Sequence, residues 1–110
     1  MQSVQLLAEA RERVASGWCQ HDDAVNDEGK AVEPWSPTAK RWSLLGSIVA
    51  ACGPPDDRED APVLLTELAG ALAALAEEIV DPSLSAWNDE GLRTQDDVVL
   101  VLDRAIGHLA

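Results

Sequence analysis

The sequence predicts an all-α fold: a four-helix bundle, one helical domain over 1–110, with a long ordered loop at about 17–35 packed on it. Three observations lead there. The chain has 110 residues, the size of a single domain with one modest core. Its 46% hydrophobic and 25% charged residues are a globular composition, not that of a disordered chain. Apolar residues recur at steps of three and four over long stretches that end at Gly or Pro. Phe and Tyr are absent, so four Trp carry all the aromatic packing.

The first helix spans 2–16. Val4, Leu7, Ala8, Val14 and Ala15 approximate a 3.6-residue stripe, and Glu9 precedes Arg13 in the favourable i,i+4 order. Ser16-Gly17 ends it, with Gly17 expected as a left-handed cap. Residues 17–35 keep no period. The run Asn26-Asp27-Glu28-Gly29 is turn chemistry, with room for a short hairpin carrying Val25 and Val32 on its arms. Some 19 residues are long for an idle connection, which points to a packed or functional loop.

Ser36-Pro37 predicts the start of a second helix: a hydroxyl cap followed by proline at the first helical position. Ala39, Trp42, Leu45, Val49 and Cys52 would form its buried stripe, closed by Gly53-Pro54-Pro55. An acidic linker at 54–61 follows. A third helix is expected from about Pro62 to Val80, with Leu65, Leu68, Leu72, Leu75 and Ile79 as its core stripe, stopped by Asp81-Pro82. The fourth runs from about Gln95 to Leu109. Thr94 and Asp97 form a capping box, Asp96 and Asp97 suit the positive end of the helix dipole, and Val98, Val101, Leu102, Ala105, Ile106 and Leu109 supply the buried face.

The net charge is −12, and residues 56–110 carry −10 of it. Such a chain repels phosphate, so direct nucleic-acid binding is not expected; acidity fits solubility, a basic protein partner or mimicry of nucleic acid. The N-terminus lacks a signal-peptide pattern and no run reaches the length of a membrane span, so the cytoplasm is the expected address, with Cys19 and Cys52 reduced. The sequence has no phosphate loop, no His-Glu-x-x-His and no Gly-x-Ser-x-Gly, so nothing argues for catalysis. Cys19-Gln20-His21-Asp22-Asp23 holds ligand types, but zinc would need four donors rich in Cys or His, and no metal or cofactor is expected.

The residues 85–97 hold the densest chemistry. Trp87 would plug one end of the bundle, Asn88 or Asp89 would close a turn on backbone amides, and Arg93 would pair with Asp89 or a carbonyl. In the alternative reading, Asn88, Asp89 and Arg93 would line a polar pocket edged by Trp18, Gln20, Trp42 and Trp87. Both readings stand on sequence. The exposed carboxylates Asp56, Asp57, Glu59 and Asp60 form a separate candidate surface for a partner.

Three groups of residues also resemble a known pattern: Gly17-Trp18-Cys19-Gln20; Ala39-x-x-Trp42-Ser43-Leu44-x-Gly46-Ser47; and Trp87-Asn88-Asp89 with Arg93-Thr94, then Val98 and Leu102-Asp103-x-Ala105. In that order they are similar to a small uncharacterised bacterial and phage family, known only as a domain of unknown function. In that pattern a Cys commonly follows the central Trp; here it is Ser43, which argues against an obligate thiol there. The resemblance implies no activity, substrate or cofactor. The expected function is therefore a small acidic interaction protein that binds a protein partner, with a phage or mobile-element regulator or inhibitor of a nucleic-acid-binding host protein as its sharper form. The alternative is a small-molecule binding domain using the Trp-edged end; a minimal enzyme built on His21 and Asp89 is a third class.

Overall fold

A computed structural model of the chain describes residues 2–54, 61–79, 81 and 83–109, without the side chains of 61–63. Five helices and two short strands lie among them: α1 (Ser3–Ser16), β1 (Ala24–Val25), β2 (Arg41–Trp42), α2 (Leu44–Cys52), α3 (Ala61–Ala76), α4 (Leu84–Asn88) and α5 (Gln95–Leu109). The fold is mostly helical, with a small antiparallel sheet in place of a simple four-helix bundle.

Helix α1 is the hub, packed against α2, α3 and α5. Its buried side is Leu6, Leu7, Ala10 and Val14, while Ala8 and Ala15 are exposed. Leu7, Ala10 and Val14 meet Leu44 and Ile48 of α2, Ala71 and Leu75 of α3, and Val98, Leu102 and Ala105 of α5 in one core. Polar contacts fix the ends of α1. The Ser3 N–H and hydroxyl both reach Glu67 Oε2, at 2.6 and 2.9 Å, so a side chain of α3 caps α1 from outside. At the other end Gln95 Nε2 donates to the carbonyls of Val14 and Ala15. Gly17 is extended (φ −177°) and not the expected left-handed cap. It is small for another reason: a Cβ there would lie 2.4 Å from the Lys40 carbonyl oxygen.

The segment after α1 is a compact β module. Asn26 Oδ1 accepts from the Glu28 and Lys30 amides, Gly29 takes a φ of +77°, and Val32 N–H bonds the Ala24 carbonyl at 3.0 Å. The hairpin expected around Val25 and Val32 is present. A second strand joins it: β2 pairs antiparallel with β1, Ala24 opposite Trp42 and Val25 opposite Arg41, and Trp18 bridges to Trp42 on the far side.

That pairing corrects the second helix. Ser36 and Pro37 make only a turn, with Ser36 Oγ accepting from Thr38 N–H. Lys40 N–H then bonds Val25 O and Trp42 N–H bonds Gly17 O, so strand partners take the amides that a helix would have used. Helix α2 starts at Leu44, capped by Ser43 Oγ on Gly46 N–H at 3.0 Å. Leu44, Gly46, Ser47, Ile48, Ala50 and Ala51 are buried, and the expected stripe residues Leu45, Val49 and Cys52 are only half-buried. A helix with no charged residue gives periodicity nothing to select a face by.

The third helix is shorter than expected, ending at Ala76. Its stripe is buried at Leu75 and Ile79, half-buried at Leu68 and Leu72, and largely exposed at Leu65. Helix α4 has no counterpart among the four helices expected from sequence: Ser83 Oγ accepts from Ala86 N–H, and five residues are too few to leave a period. Helix α5 follows the sequence closely. The Thr94–Asp97 capping box is reciprocal, at 3.1 and 3.2 Å, and Val98, Val101, Leu102 and Ala105 are buried.

Candidate functional site

The segment after α1, the start of α2 and the end of α4 meet at Asn88, which is wholly buried. Its Oδ1 accepts from the Leu44 amide at 3.0 Å and from Trp18 Nε1 at 2.8 Å. Its Nδ2 donates to the Cys19 carbonyl at 3.2 Å and to Asp89 Oδ1 at 2.9 Å. Two acceptor and two donor positions are all that a side-chain amide has, and all four are used. The chemistry requires an amide here. An aspartate would lose both donors and face the neighbouring carboxylate of Asp89.

The other candidates are arranged round this node. Gln20 Nε2 donates to the carbonyls of Asn88 and Glu90, at 3.0 and 2.8 Å. Asp89 Oδ1 also accepts from His21 N–H at 2.9 Å. Arg93 Nε donates to the Trp87 carbonyl at 2.9 Å, its guanidinium lies 3.9 Å from the Trp87 ring centroid, and it pairs with Glu90. Trp42 stands a little apart, its Nε1 donating to Pro34 O at 2.9 Å. Six of the seven residues singled out by sequence thus converge, through α4 packing on α2. The Trp18 indole, the Gln20 amide nitrogen, the Asn88 amide, one Asp89 carboxylate oxygen and Arg93 Nε are engaged with one another or with backbone. The acidic candidates Asp56, Asp57, Glu59 and Asp60 lie outside the described residues.

Beside the node lies a concavity that sequence did not single out. Its volume is about 70 Å³, room for a few waters or one cationic head group, and it is lined by His21, Asp22, Asp23, Ser43, Ser85 and Asp89. His21 adopts φ +75°, a left-handed conformation rare outside glycine, and its amide bond to Asp89 helps hold it there. The His21 ring is exposed, with Nδ1 3.9 Å from Asp89 Oδ2. On the other side of Asp22 and Asp23 an open depression of about 460 Å³ is lined by these two carboxylates with Ala24, Ala31, Val32, Glu33 and Pro34. Adjacency in sequence hinted at the carboxylates. Nothing in sequence placed Ser43, expected within the second helix, beside Ser85, just before the last one.

Cys19 reports the field of this corner. Burial pushes its thiol from 9.0 up to about 11, with Asp22, Asp23 and Asp89 adding to the shift and Arg41 opposing it. Its Sγ donates to the Asp22 carbonyl at 3.4 Å. A thiol held protonated is a poor nucleophile at neutral pH. Among the described residues no three His, Cys, Asp or Glu side chains are grouped as metal ligands, and His108 sits instead against Glu78 at 2.7 Å.

The matched family model spans residues 1–108. The chain belongs to DUF6197, a family of unknown function. No curated protein and no solved structure matches the chain. For this DUF6197 chain, then, the side chains alone carry the functional argument. Among the described residues no helix is long and apolar enough to cross a membrane.

Proposed function

We propose that this protein is an interaction module that binds a basic segment of a protein partner at the corner formed by residues 21–34 and 85–90. One observation carries the reading. Asp22 and Asp23 stand exposed between two concavities, the carboxylate-lined notch with Ser43, Ser85 and Asp89 and the open depression of mixed lining shared with Val32, Glu33 and Pro34. A lysine or arginine head group suits the notch in size and charge, and the chain beyond it suits the depression. At the Trp18–Trp87–Arg93 end, by contrast, the Trp18 indole, the Gln20 amide nitrogen and Arg93 Nε are spent on internal hydrogen bonds.

Mimicry of nucleic acid draws less support. Glu9, Glu12, Glu28, Glu78, Glu90 and Asp103 each lie against a nearby Arg, Lys or His, which breaks up the ridge of unpaired charge that such mimicry needs.

The test is a titration with an oligolysine peptide at low and moderate salt. Binding is expected at about 10 mM salt and is expected to weaken at least several-fold at about 0.1 M, as the screening length falls from roughly 30 to 10 Å. The double variant D22N/D23N is expected to lose most of the low-salt affinity without any fall in its thermal midpoint, because neither carboxylate caps or braces the fold. Absence of low-salt binding, or binding indifferent to D22N/D23N, removes the proposal.

A further inference from the structure

Leu92 is 95% exposed, the most exposed large apolar side chain among the described residues. A lone surface leucine is ordinary on a mobile loop. This one sits on a braced turn. Arg93 N–H closes the turn on Glu90 O at 3.0 Å, Gln20 Nε2 holds the same carbonyl at 2.8 Å, and the Arg93 guanidinium is clamped between the Trp87 ring, the Trp87 carbonyl and Glu90. The residue before it, Gly91, has open space where a side chain would be, so nothing shields Leu92 from that direction.

The turn therefore projects one apolar side chain whose backbone is already ordered. Binding through such a group costs little further entropy of the backbone, which is the advantage of preorganisation. Its surroundings define what it fits. Glu90 is exposed, Asp89 lines the carboxylate notch three residues earlier, and His21, bonded to Asp89, leads into Asp22 and Asp23.

We infer that Leu92 is an anchor for the protein partner, seated in an apolar pocket or face that is flanked by lysine or arginine. The inference rests on the interaction reading above and adds to it: charge alone is not enough, and the partner segment is amphipathic as well as basic. The acidic residues steer and orient the partner, while the leucine supplies contact that salt does not screen.

Two peptides of equal length and charge separate the terms, one of lysine and neutral polar residues, the other of lysine and leucine in helical spacing. Binding to the full chain is followed by its own tryptophan fluorescence. The wild-type protein is expected to hold the leucine-lysine peptide about tenfold or more tighter than the polar one, the range expected for burying a leucine. L92S is expected to bring the two affinities together with an unchanged thermal midpoint, and D22N/D23N to weaken both peptides alike. If L92S leaves the tenfold preference intact, or the wild type has no preference, the leucine anchor is overturned while the acidic interaction reading stands. If neither peptide binds at low salt, both fall.

Discussion

Asn88 is the residue on which the loop module, α2 and α4 depend together, since its amide satisfies the Leu44 N–H, the Trp18 indole and the Cys19 carbonyl. Truncation to Ala would leave those three groups without their partner in a buried setting. N88A is expected to cost about 3 kcal/mol, and N88D at least as much, because the aspartate keeps the acceptors but must place a charge beside Asp89. Chemical denaturation checks both; a loss below about 1 kcal/mol for N88A would show that the node is not a structural tie. Cys19 offers a pH readout at the same corner. With its thiol raised to about 11, alkylation of the native protein at pH 8 is expected to be slower than in denaturant by roughly two orders of magnitude, and to accelerate towards pH 11. Folding thus favours the neutral thiol. That contribution is present below the ordinary value of 9.0 and is lost as pH rises through about 11. An alkylation midpoint near 9 in the native protein would mean that the thiol is solvated. From sequence, Trp87, Asn88, Asp89 and Arg93 stood out because amide, carboxylate and guanidinium side chains beside Trp are expensive to bury without a purpose. Sequence left open whether that purpose was a site or a brace, and only the hydrogen-bond partners distinguish them.

At the scale of elements, legibility followed chain-local signals. Helix α5 was readable from Thr94 to Ala105 because its cap, its dipole-matched acids and its stripe all lie within its own sequence. The Asn26–Gly29 turn was readable for the same reason. Helix α2 was misplaced because Lys40 and Trp42 take their partners from Val25 and Gly17, residues far away in sequence, and nothing local to Ser36-Pro37 announces that competition. Two glycines record how closely these elements approach. A Cβ at Gly46 would sit 1.8 Å from the Asp23 carbonyl oxygen, and one at Gly17 would sit 2.4 Å from Lys40 O. G46A therefore has to push α2 away from the β module or shift the 21–23 backbone, and is expected to cost about 3 kcal/mol or more. Gly107 is the internal control. It lies in α5 with nothing near its Cβ position, so G107A is expected to stabilise by about 0.5–1 kcal/mol through helix propensity. A G46A variant that melts as high as the wild type, or rises with G107A, would refute the close approach of α2 and the β module.

For the whole molecule the governing imbalance is charge, because −12 is carried on a chain with a radius of gyration of only 13.1 Å. Two electrostatic effects oppose one another as salt is added. The attractive contacts Arg11–Asp103, Glu9–Arg13 and Lys30–Glu28 weaken, but each is at or near the surface, where an ion pair contributes about 0–1 kcal/mol. The repulsion among surplus carboxylates also weakens, and that term is summed over the molecule and concentrated at corners such as Asp22–Asp23–Asp89. The second effect should win. Raising sodium chloride from about 10 mM to about 0.2 M is expected to raise the thermal midpoint by a few degrees, while D22N/D23N, with two fewer negative charges, should melt higher than the wild type at low salt and gain less from added salt. A midpoint that falls with salt would mean that the ion pairs dominate, and the acidic corner would then be neutralised within the fold and no longer available to a basic partner.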